Sequence, residues 1–279
     1  YTNTASNTVL SALGGNDTIF NSAAKVTINA GDGDDRISNT GVSMTAYGGA
    51  GNDSIYNSGD YSNIDLGDGA DSMYAYDNDY VTVSAGAGND VINGYFYSSK
   101  IYGGAGNDNL SINGGSNTID GGDGDDSIYA GYGGSINGGA GADRITLNGN
   151  SYRTVNGGTG NDTIYGVSGS SLGAFYQYAY GDGFDSILNY NSNDTISIAG
   201  TSQYTTLTSG SHKIVSVIGS GAMTLSGASS KTLNVKGGTY VPNDNEGVSI
   251  LSSTSNITLT GTKNADTIKN IYNYGGDTV

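Results

Sequence analysis

The sequence predicts an all-β protein: a parallel β-solenoid of 18-residue coils, followed by a small antiparallel β cap. Three observations lead to this fold class. A glycine–aspartate motif recurs at a nearly constant interval, each copy is followed by a short strand of alternating apolar residues, and glycine is abundant without the three-residue period of collagen. In a solenoid each repeat forms one coil, and stacking of the coils supplies the core.

A nine-residue segment, clearest at residues 48–56, recurs along the chain, and one aspartate marks each copy. The marker aspartates are Asp17, Asp35, Asp53, Asp71, Asp90, Asp108, Asp126, Asp143, Asp162 and Asp185. Successive markers are 18, 18, 18, 19, 18, 18, 17, 19 and 23 residues apart, as read from the numbering. A period of this size is typical of solenoids.

Each unit contains two short strands in which apolar and polar residues alternate. The first strand follows the glycine–aspartate turn, and its inward residues are Ile19, Ile37, Ile55, Met73, Ile92, Leu110, Ile128, Ile145 and Ile164. The second strand has the inward residues Ile28, Ala46, Ile64, Val83, Ile101, Ile119, Ile136 and Val155. Stacking such coils at a strand spacing of about 4.8 Å predicts two parallel sheets with apolar ladders between them.

The two turns of each coil differ in chemistry. The turn that ends at the marker aspartate is rich in glycine and acid, and we call it the acidic turn. The other turn, for example residues 57–62, is rich in Asn, Ser, Gly and Tyr, and we call it the asparagine turn. The two edges of the solenoid are therefore predicted to be chemically unlike.

We expect four segments along the chain. Residues 1–190 form the solenoid, residues 191–238 form the antiparallel cap over its open end, and residues 239–249 form a linker that holds the only proline. Residues 250–279 begin a further module, because residues 256–270 align without a gap on residues 7–21 at an offset of 249. This alignment predicts a tandem array of roughly 250-residue modules.

The charge of the chain limits its partners. The net charge is −16, and 16 of the 26 acidic residues lie in the acidic turns. Such a chain is a poor partner for nucleic acid or an anionic membrane surface and a good one for cations. No run of about 20 apolar residues occurs, so we predict no membrane span. The lack of cysteine leaves the redox compartment open.

Catalysis has little support in the sequence. The chain has no cysteine, one histidine and one glutamate, and no nucleophile–base pair can be proposed from their spacing. We therefore predict that the protein is not an enzyme.

The acidic turns have the chemistry of calcium ligands. Glycine allows positive φ and a close backbone approach, so that carbonyls can point inward at one centre. Calcium takes about six to eight oxygen ligands, which carboxylates and carbonyls can supply. Because a bare row of aspartates about 5 Å apart would repel strongly, one dication between neighbouring coils would remove most of that cost.

Residues 48–56 resemble the nonapeptide of the RTX, or haemolysin-type calcium-binding, family, with the pattern Gly-Gly-x-Gly-x-Asp-x-apolar-x. The resemblance covers residues 12–190 and implies a parallel β-roll, calcium-dependent folding and export from bacteria by type I secretion. By position it implies that the marker aspartates and the carbonyls around the turn glycines are calcium ligands. These glycines are Gly31, Gly33, Gly49, Gly51, Gly67, Gly69, Gly86, Gly88, Gly104, Gly106, Gly122, Gly124, Gly139, Gly141, Gly158, Gly160, Gly181 and Gly183.

The spacing departs from that family pattern in one respect. In familiar members the motif recurs about every nine residues and fills both edges with ions, whereas here it recurs every 18. We therefore expect one row of calcium ions and a second edge held by Asn and Ser hydrogen bonds. Four further acids share one motif position and could strengthen the sites or be solvated: Asp32, Asp68, Asp123 and Asp182.

The favoured function is a structural or adhesive module of a secreted bacterial surface protein, such as an S-layer, a fibre or a long adhesin. The chain would fold on calcium after export, to the cell surface or beyond. A second hypothesis is an accessory secretion and folding domain of an exported toxin or enzyme, and the rest of the gene would separate the two. Ice binding is a third hypothesis, but the chain lacks the flat threonine array that it needs, since Thr159 is the only threonine at the corresponding position of the repeated turn.

The expected partners are calcium, further modules or copies of the chain, and a surface ligand on the Tyr- and Asn-rich edge. Tyr56, Tyr74, Tyr129 and Tyr165 directly follow inward residues and should point outward as cover for the sheet. The aromatic turn at residues 95–97 favours a contact surface.

Overall fold

The computed structural model describes residues 1–199, 203–209, 212–217, 221–225, 234–237, 239–240, 249–252 and 267–270. The described residues form β-strands and no helix, which confirms the all-β prediction. The chain divides into two compact units, Tyr1–Ile145 and Thr146–Val279.

The strands of the first unit are short except where two of them run through an asparagine turn. They are β1 (Thr2–Asn3), β2 (Val9–Ser11), β3 (Thr18–Asn21), β4 (Thr27–Asp32), β5 (Arg36–Asn39), β6 (Thr45–Ala50), β7 (Ser54–Asn57), β8 (Asn63–Asp68), β9 (Ser72–Asp79), β10 (Thr82–Ala87), β11 (Val91–Tyr97), β12 (Lys100–Ala105), β13 (Asn109–Asp123) and β14 (Ser127–Ala140). The division between the units falls inside β15 (Arg144–Leu147).

The first unit consists of two stacks of parallel strands. One stack contains β1, β3, β5, β7, β9, β11 and the first parts of β13 and β14. The other contains β2, β4, β6, β8, β10, β12 and the last parts of β13 and β14. Partners are about one 18-residue coil apart, as where Ile28 lies opposite Ala46 and Ala46 opposite Ile64. The predicted parallel solenoid is confirmed.

The core lies between the two stacks because alternate residues of each strand point inward. Every residue of the two predicted apolar ladders is at most 3 % exposed. Tyr56 and Tyr74 are exposed on the outer face, as predicted. The aromatic turn at residues 95–97 is divided, because Phe96 is fully buried while Tyr95 and Tyr97 are exposed.

The asparagine turns are held by a ladder of buried amides, as the second edge was predicted to be. Asn21 Nδ2 donates to Asn39 Oδ1 (2.7 Å), and Asn39 Nδ2 donates to Asn57 Oδ1 (2.6 Å). The ladder begins with a bond from Asn3 to Asn21 and reaches Asn78. Each of these amides except that of Asn78 also bonds the backbone of its own turn, as where Asn39 Nδ2 donates to the carbonyl of Gly41 (2.7 Å).

The second unit continues with parallel strands and then adds an antiparallel hairpin. Its strands are β16 (Arg153–Thr159), β17 (Thr163–Tyr165), β18 (Ala174–Tyr178), β19 (Phe184–Leu188), β20 (Thr195–Ile198), β21 (Gln203–Ser209), β22 (His212–Val217), β23 (Ala222–Leu225), β24 (Asn234–Lys236), β25 (Thr239–Tyr240), β26 (Ser249–Ser252) and β27 (Thr267–Asn270). One parallel series runs β16, β18, β20, β24, β26 and β27.

The predicted antiparallel region is mixed in the structure. β22 pairs antiparallel with both β21 and β23, as expected for a cap. β20 and β24, however, pair in parallel, with Thr195 opposite Asn234. The interval between these partners is longer than one coil because the hairpin of β21 and β22 lies within it. The predicted linker, residues 239–249, is described only at residues 239–240 and 249, and residues 253–266 and 271–279 lie outside the described residues.

Replacing Asn39 by Ala is expected to destabilise the first unit by about 2–4 kcal/mol. The side chains of Asn21 and Asn57 and the backbone of Gly41 would each lose a hydrogen bond to Asn39 while remaining buried. Urea denaturation in saturating calcium measures the effect. Ser38→Ala is the matched control on the outer face of the same strand, and it should change stability by less than about 0.5 kcal/mol. Equal effects of the two substitutions would show that the amide ladder does not stabilise the edge.

Candidate metal centre

Glycine shapes the acidic turns in two ways. All the predicted turn glycines have positive φ, for example +120° at Gly49 and +128° at Gly51, a region that disfavours residues with a Cβ. Space is also lacking, because a Cβ on Gly49 would collide with the carbonyl oxygen of Gly31, and one on Gly51 with that of Gly33. Carbonyls of one turn therefore lie directly against the backbone of the next.

The marker aspartates line the inside of these turns. Asp35 and the markers that follow it are at most 4 % exposed, whereas Asp17 in the first turn is half-buried. Within each unit, the backbone N–H of one marker donates to Oδ1 of the next, from Asp17 to Asp143 and from Asp162 to Asp185. Asp53 N–H donates to Asp71 Oδ1 (2.6 Å), and Asp71 N–H donates to Asp90 Oδ1 (2.7 Å). The structure thus brings the predicted aspartates into one continuous row within each unit.

The second oxygen of nearly every marker carboxylate is buried without a hydrogen-bond partner. These atoms are the Oδ2 of Asp17, Asp35, Asp53, Asp71, Asp90, Asp108, Asp126, Asp143 and Asp162. In several turns Oδ2 lies so close to the first glycine of the motif, as Asp53 Oδ2 does to Gly48, that a Cβ there would collide with it. A buried carboxylate oxygen without a partner is costly, and a cation bound between neighbouring turns would remove that cost.

The burial of the row raises the pKa of its carboxyls. Burial raises the pKa of Asp71 and of Asp126 to about 6 and that of Asp108 to about 7, against the lowering effect of the backbone hydrogen bond, and neighbouring carboxylates raise it further. The pKa values of Asp53 and Asp90 are also raised, chiefly by burial. Without a cation, therefore, the folded turn disfavours ionised aspartate.

Calcium fits this donor set. Among the described residues, no three acidic, histidine or cysteine side chains are grouped closely enough to hold a metal by themselves. A site would therefore combine the unpartnered Oδ2 atoms with backbone carbonyls of the glycine turns, which is the mixture of oxygens that calcium prefers. The ion would supply the positive charge that an ionised row requires.

The four extra acids lie in two different settings. Asp32, Asp68 and Asp123 are exposed at the outer side of their turns. Asp182 is buried, and its Oδ2 accepts the N–H of Ala179 (2.6 Å) within its own loop. Their roles as ligands, like those of the individual glycine carbonyls, stay predictions.

A second ladder in the acidic turns was not predicted. The residue before the marker aspartate also bonds its neighbour: Asp34 Oδ1 accepts the N–H of Asn52 (2.8 Å), and Asn52 Oδ1 accepts the N–H of Ala70 (2.8 Å). Another run links Asn89, Asn107, Asp125 and Ala142. The sequence signal for this ladder was the Asn or Asp that recurs directly before the marker aspartate. Each run ends at an alanine, Ala70 or Ala142, because the alanine side chain has no hydrogen-bond acceptor.

The geometry defines a class of protein: a parallel β-solenoid whose stacked turns bring buried carboxylate oxygens into a row. The chain carries the RTX calcium-binding nonapeptide repeat, since the family model of that description matches residues 11–39, 84–115, 111–133, 135–151 and 154–170. These repeats form calcium-binding β-roll modules of secreted proteins. Asp53 and Asp71 fall outside the matched stretches but lie in the same row. No curated protein matched the chain.

The described residues contain no helix of the length and apolar character needed to cross a membrane.

Asp108→Asn should raise the calcium concentration at the midpoint of folding by about tenfold, because it replaces a buried negative oxygen in a site whose affinity depends on ligand charge. Asp123→Asn removes the same charge from an exposed position in the next acidic turn and serves as the control. Calcium titration followed by circular dichroism compares them. An equal or larger shift for Asp123→Asn would contradict the assignment of the buried row as the primary ligands.

In EDTA, lowering the pH should stabilise the folded turns. Because the folded pKa values of Asp71, Asp108 and Asp126 are raised to about 6 to 7, their contribution is fully present below the unfolded pKa of about 4 and is lost as the pH rises through about 7. We expect a higher urea midpoint at pH 5 than at pH 8. Asp108→Asn should reduce this difference, and a midpoint that is the same at both pH values would contradict the expectation.

Proposed function

We propose that the protein is a calcium-rigidified structural or adhesive module of a secreted bacterial surface protein, such as an S-layer, a fibre or a long adhesin. The observation that carries the proposal is the contrast between the two edges. From Asn3 to Asn57 the amides of the asparagine edge satisfy one another, and Asn78 Nδ2 is the one amide of that ladder without a partner, whereas the acidic edge holds a whole row of buried oxygens that have none. Calcium is the switch that completes the fold.

The charge of the chain fits folding after export. A net charge of −16 with most of the acid in the stacked turns opposes compaction where calcium is scarce. Extracellular calcium modules typically bind at about 10⁻⁴ to 10⁻³ M, so the same turns would order outside the cell. A long stack of such coils resists bending because each coil is bonded to its neighbours in both sheets.

The exposed tyrosines support an adhesive role beside the structural one. Tyr56 and Tyr74 stack with their ring centroids 5.7 Å apart on an outer sheet face. Tyr61 and Tyr80 stack at 5.3 Å in successive asparagine turns, where both are more than half exposed. Ordered aromatic rings at a surface are typical of contact sites, and this edge is where we place a surface ligand.

The alternative is an accessory secretion and folding domain of an exported toxin or enzyme. It uses the same calcium chemistry, so the acidic turns support both proposals equally. The sequence of the full gene separates them: repeated modules of this type favour the surface protein, and a catalytic domain upstream favours the accessory domain.

The calcium dependence is tested by circular dichroism and calorimetry with and without EDTA. We expect chelation at pH 8 to weaken the β spectrum and to lower the midpoint of the cooperative transition, and we expect calcium, but not the same ionic strength of sodium, to restore both. Equilibrium dialysis should then give ions in proportion to the acidic turns alone. A β spectrum that chelation leaves unaltered would overturn the proposal.

A further inference from the structure

The structure shows the same pair of strands twice. β26 and β27 pair in parallel with Ser252 opposite Asn270, and β1 and β3 pair in parallel with Asn3 opposite Asn21. Ser252 and Asn270 each lie 249 residues after Asn3 and Asn21, and 249 is also the offset of the sequence alignment between residues 256–270 and 7–21. The alignment makes β27 the counterpart of β3. Because β26 pairs with β27 as β1 pairs with β3, the pairing makes β26 the counterpart of β1.

β26 has a second neighbour. β24 pairs with it in parallel, with Asn234 opposite Leu251. Leu251 corresponds to Thr2 at the offset of 249. A strand of the β24 type is thus the natural neighbour of a β1-type strand on the side away from β3.

The apolar residues around β2 are more exposed than those of the coils that follow. Leu10 is half-exposed, whereas the next members of its ladder, Ile28 and Ala46, are fully buried. Val9 and Leu13 are 76 % and 79 % exposed. A coil with this exposure can accept a further parallel strand along its outer side.

We propose that the outer edge of β1 is a junction surface, and that its occupant is the β24 strand of a second copy of this module. Neighbouring modules would then be joined by continuous parallel pairing, with Asn234 of one copy opposite Thr2 of the next. This inference extends the proposed function, since it states how the modules of a fibre or layer connect. It does not depend on where calcium binds.

The hydrogen-bond pattern makes the edge testable without disturbing the rest of the coil. Phe20 N–H donates to the carbonyl of Tyr1 (2.8 Å), and Ser22 N–H donates to that of Asn3 (3.1 Å). Because parallel strands alternate the direction of their backbone groups, the N–H of Thr2 points to the outer edge. By the same alternation, the N–H of Leu251 points from β26 toward β24.

The test uses the full chain with proline at these two positions, since proline lacks the N–H donor. Leu251→Pro should release β26 from β24 and leave β24 free for β1 of a second copy. We expect this variant to form head-to-tail oligomers in calcium, measured by light scattering, and the added substitution Thr2→Pro to return it to monomers. A folded Leu251→Pro variant that stays monomeric, or oligomers that Thr2→Pro leaves intact, would overturn the proposal.

Engineered cysteines give a second measurement that does not rely on proline, because the chain has no cysteine of its own. In the otherwise unchanged chain at high concentration, Thr2→Cys combined with Asn234→Cys should form a disulfide between copies as strands exchange. Thr2→Cys combined with Lys236→Cys, two residues out of register, is the matched control. No disulfide between copies, or equal yields for the two pairs, would contradict the junction. Circular dichroism with EDTA on the same samples reports the calcium dependence separately.

Discussion

The structure depends on one constraint: in a stack of equal coils, each buried polar group of a turn meets the same group of the next turn, and the pair must satisfy each other. Asparagine meets this constraint alone, because its amide carries both a donor and an acceptor. Asn21, Asn39 and Asn57 form a closed chain of bonds in this way. Aspartate carries only acceptors when it is ionised, so a row of aspartates needs donors or a cation from elsewhere.

On the acidic edge the backbone supplies a hydrogen-bond donor to only one of the two carboxylate oxygens of a marker aspartate. The N–H of each marker aspartate satisfies Oδ1 of the next marker within its unit, as between Asp53 and Asp71, and this bond holds the carboxylate in one orientation. The remaining oxygen then has a fixed place with no protein donor near it. The same bond that orders the side chain also leaves its other oxygen available to a metal. The two edges of one coil thus differ in a single respect, whether the ladder is complete without an ion.

Sequence reasoning predicted the parts of the fold that repeat. The apolar ladders through Ile28 and Ile55, the positive φ of the turn glycines and the hydrogen-bonded asparagine edge all follow from period and residue type. The burial of Phe96 was harder to predict. β11 continues through the aromatic turn, and its alternation of inward and outward side chains buries the central one of the three rings. The ladder through Asp34 and Asn52 was missed because its residues are exposed and vary between Asn, Asp and Ala, so that they resemble ordinary turn residues.

Strand pairing in the region after Asp185 was harder to predict from the sequence for a different reason. Alternating strands with glycine turns look the same whether they pair with the preceding coil or with each other, so the sequence could not separate β22, which is antiparallel, from β24, which is parallel. Pairing there depends on contacts far apart in sequence, and the interval between β20 and β24 no longer matches the repeat.

The parallel series that survives this insertion has a physical consequence for how a chain of modules can hold together. In a stack where each coil bonds only its neighbours, stability is a sum of local terms, and an interface without paired strands would be the weakest point. β24 pairs in parallel with β26, and β26 with β27, so backbone hydrogen bonds continue through the point at which we propose that a further module begins. In that proposal the boundary between modules is held by backbone hydrogen bonds, and calcium is needed only for the acidic edge.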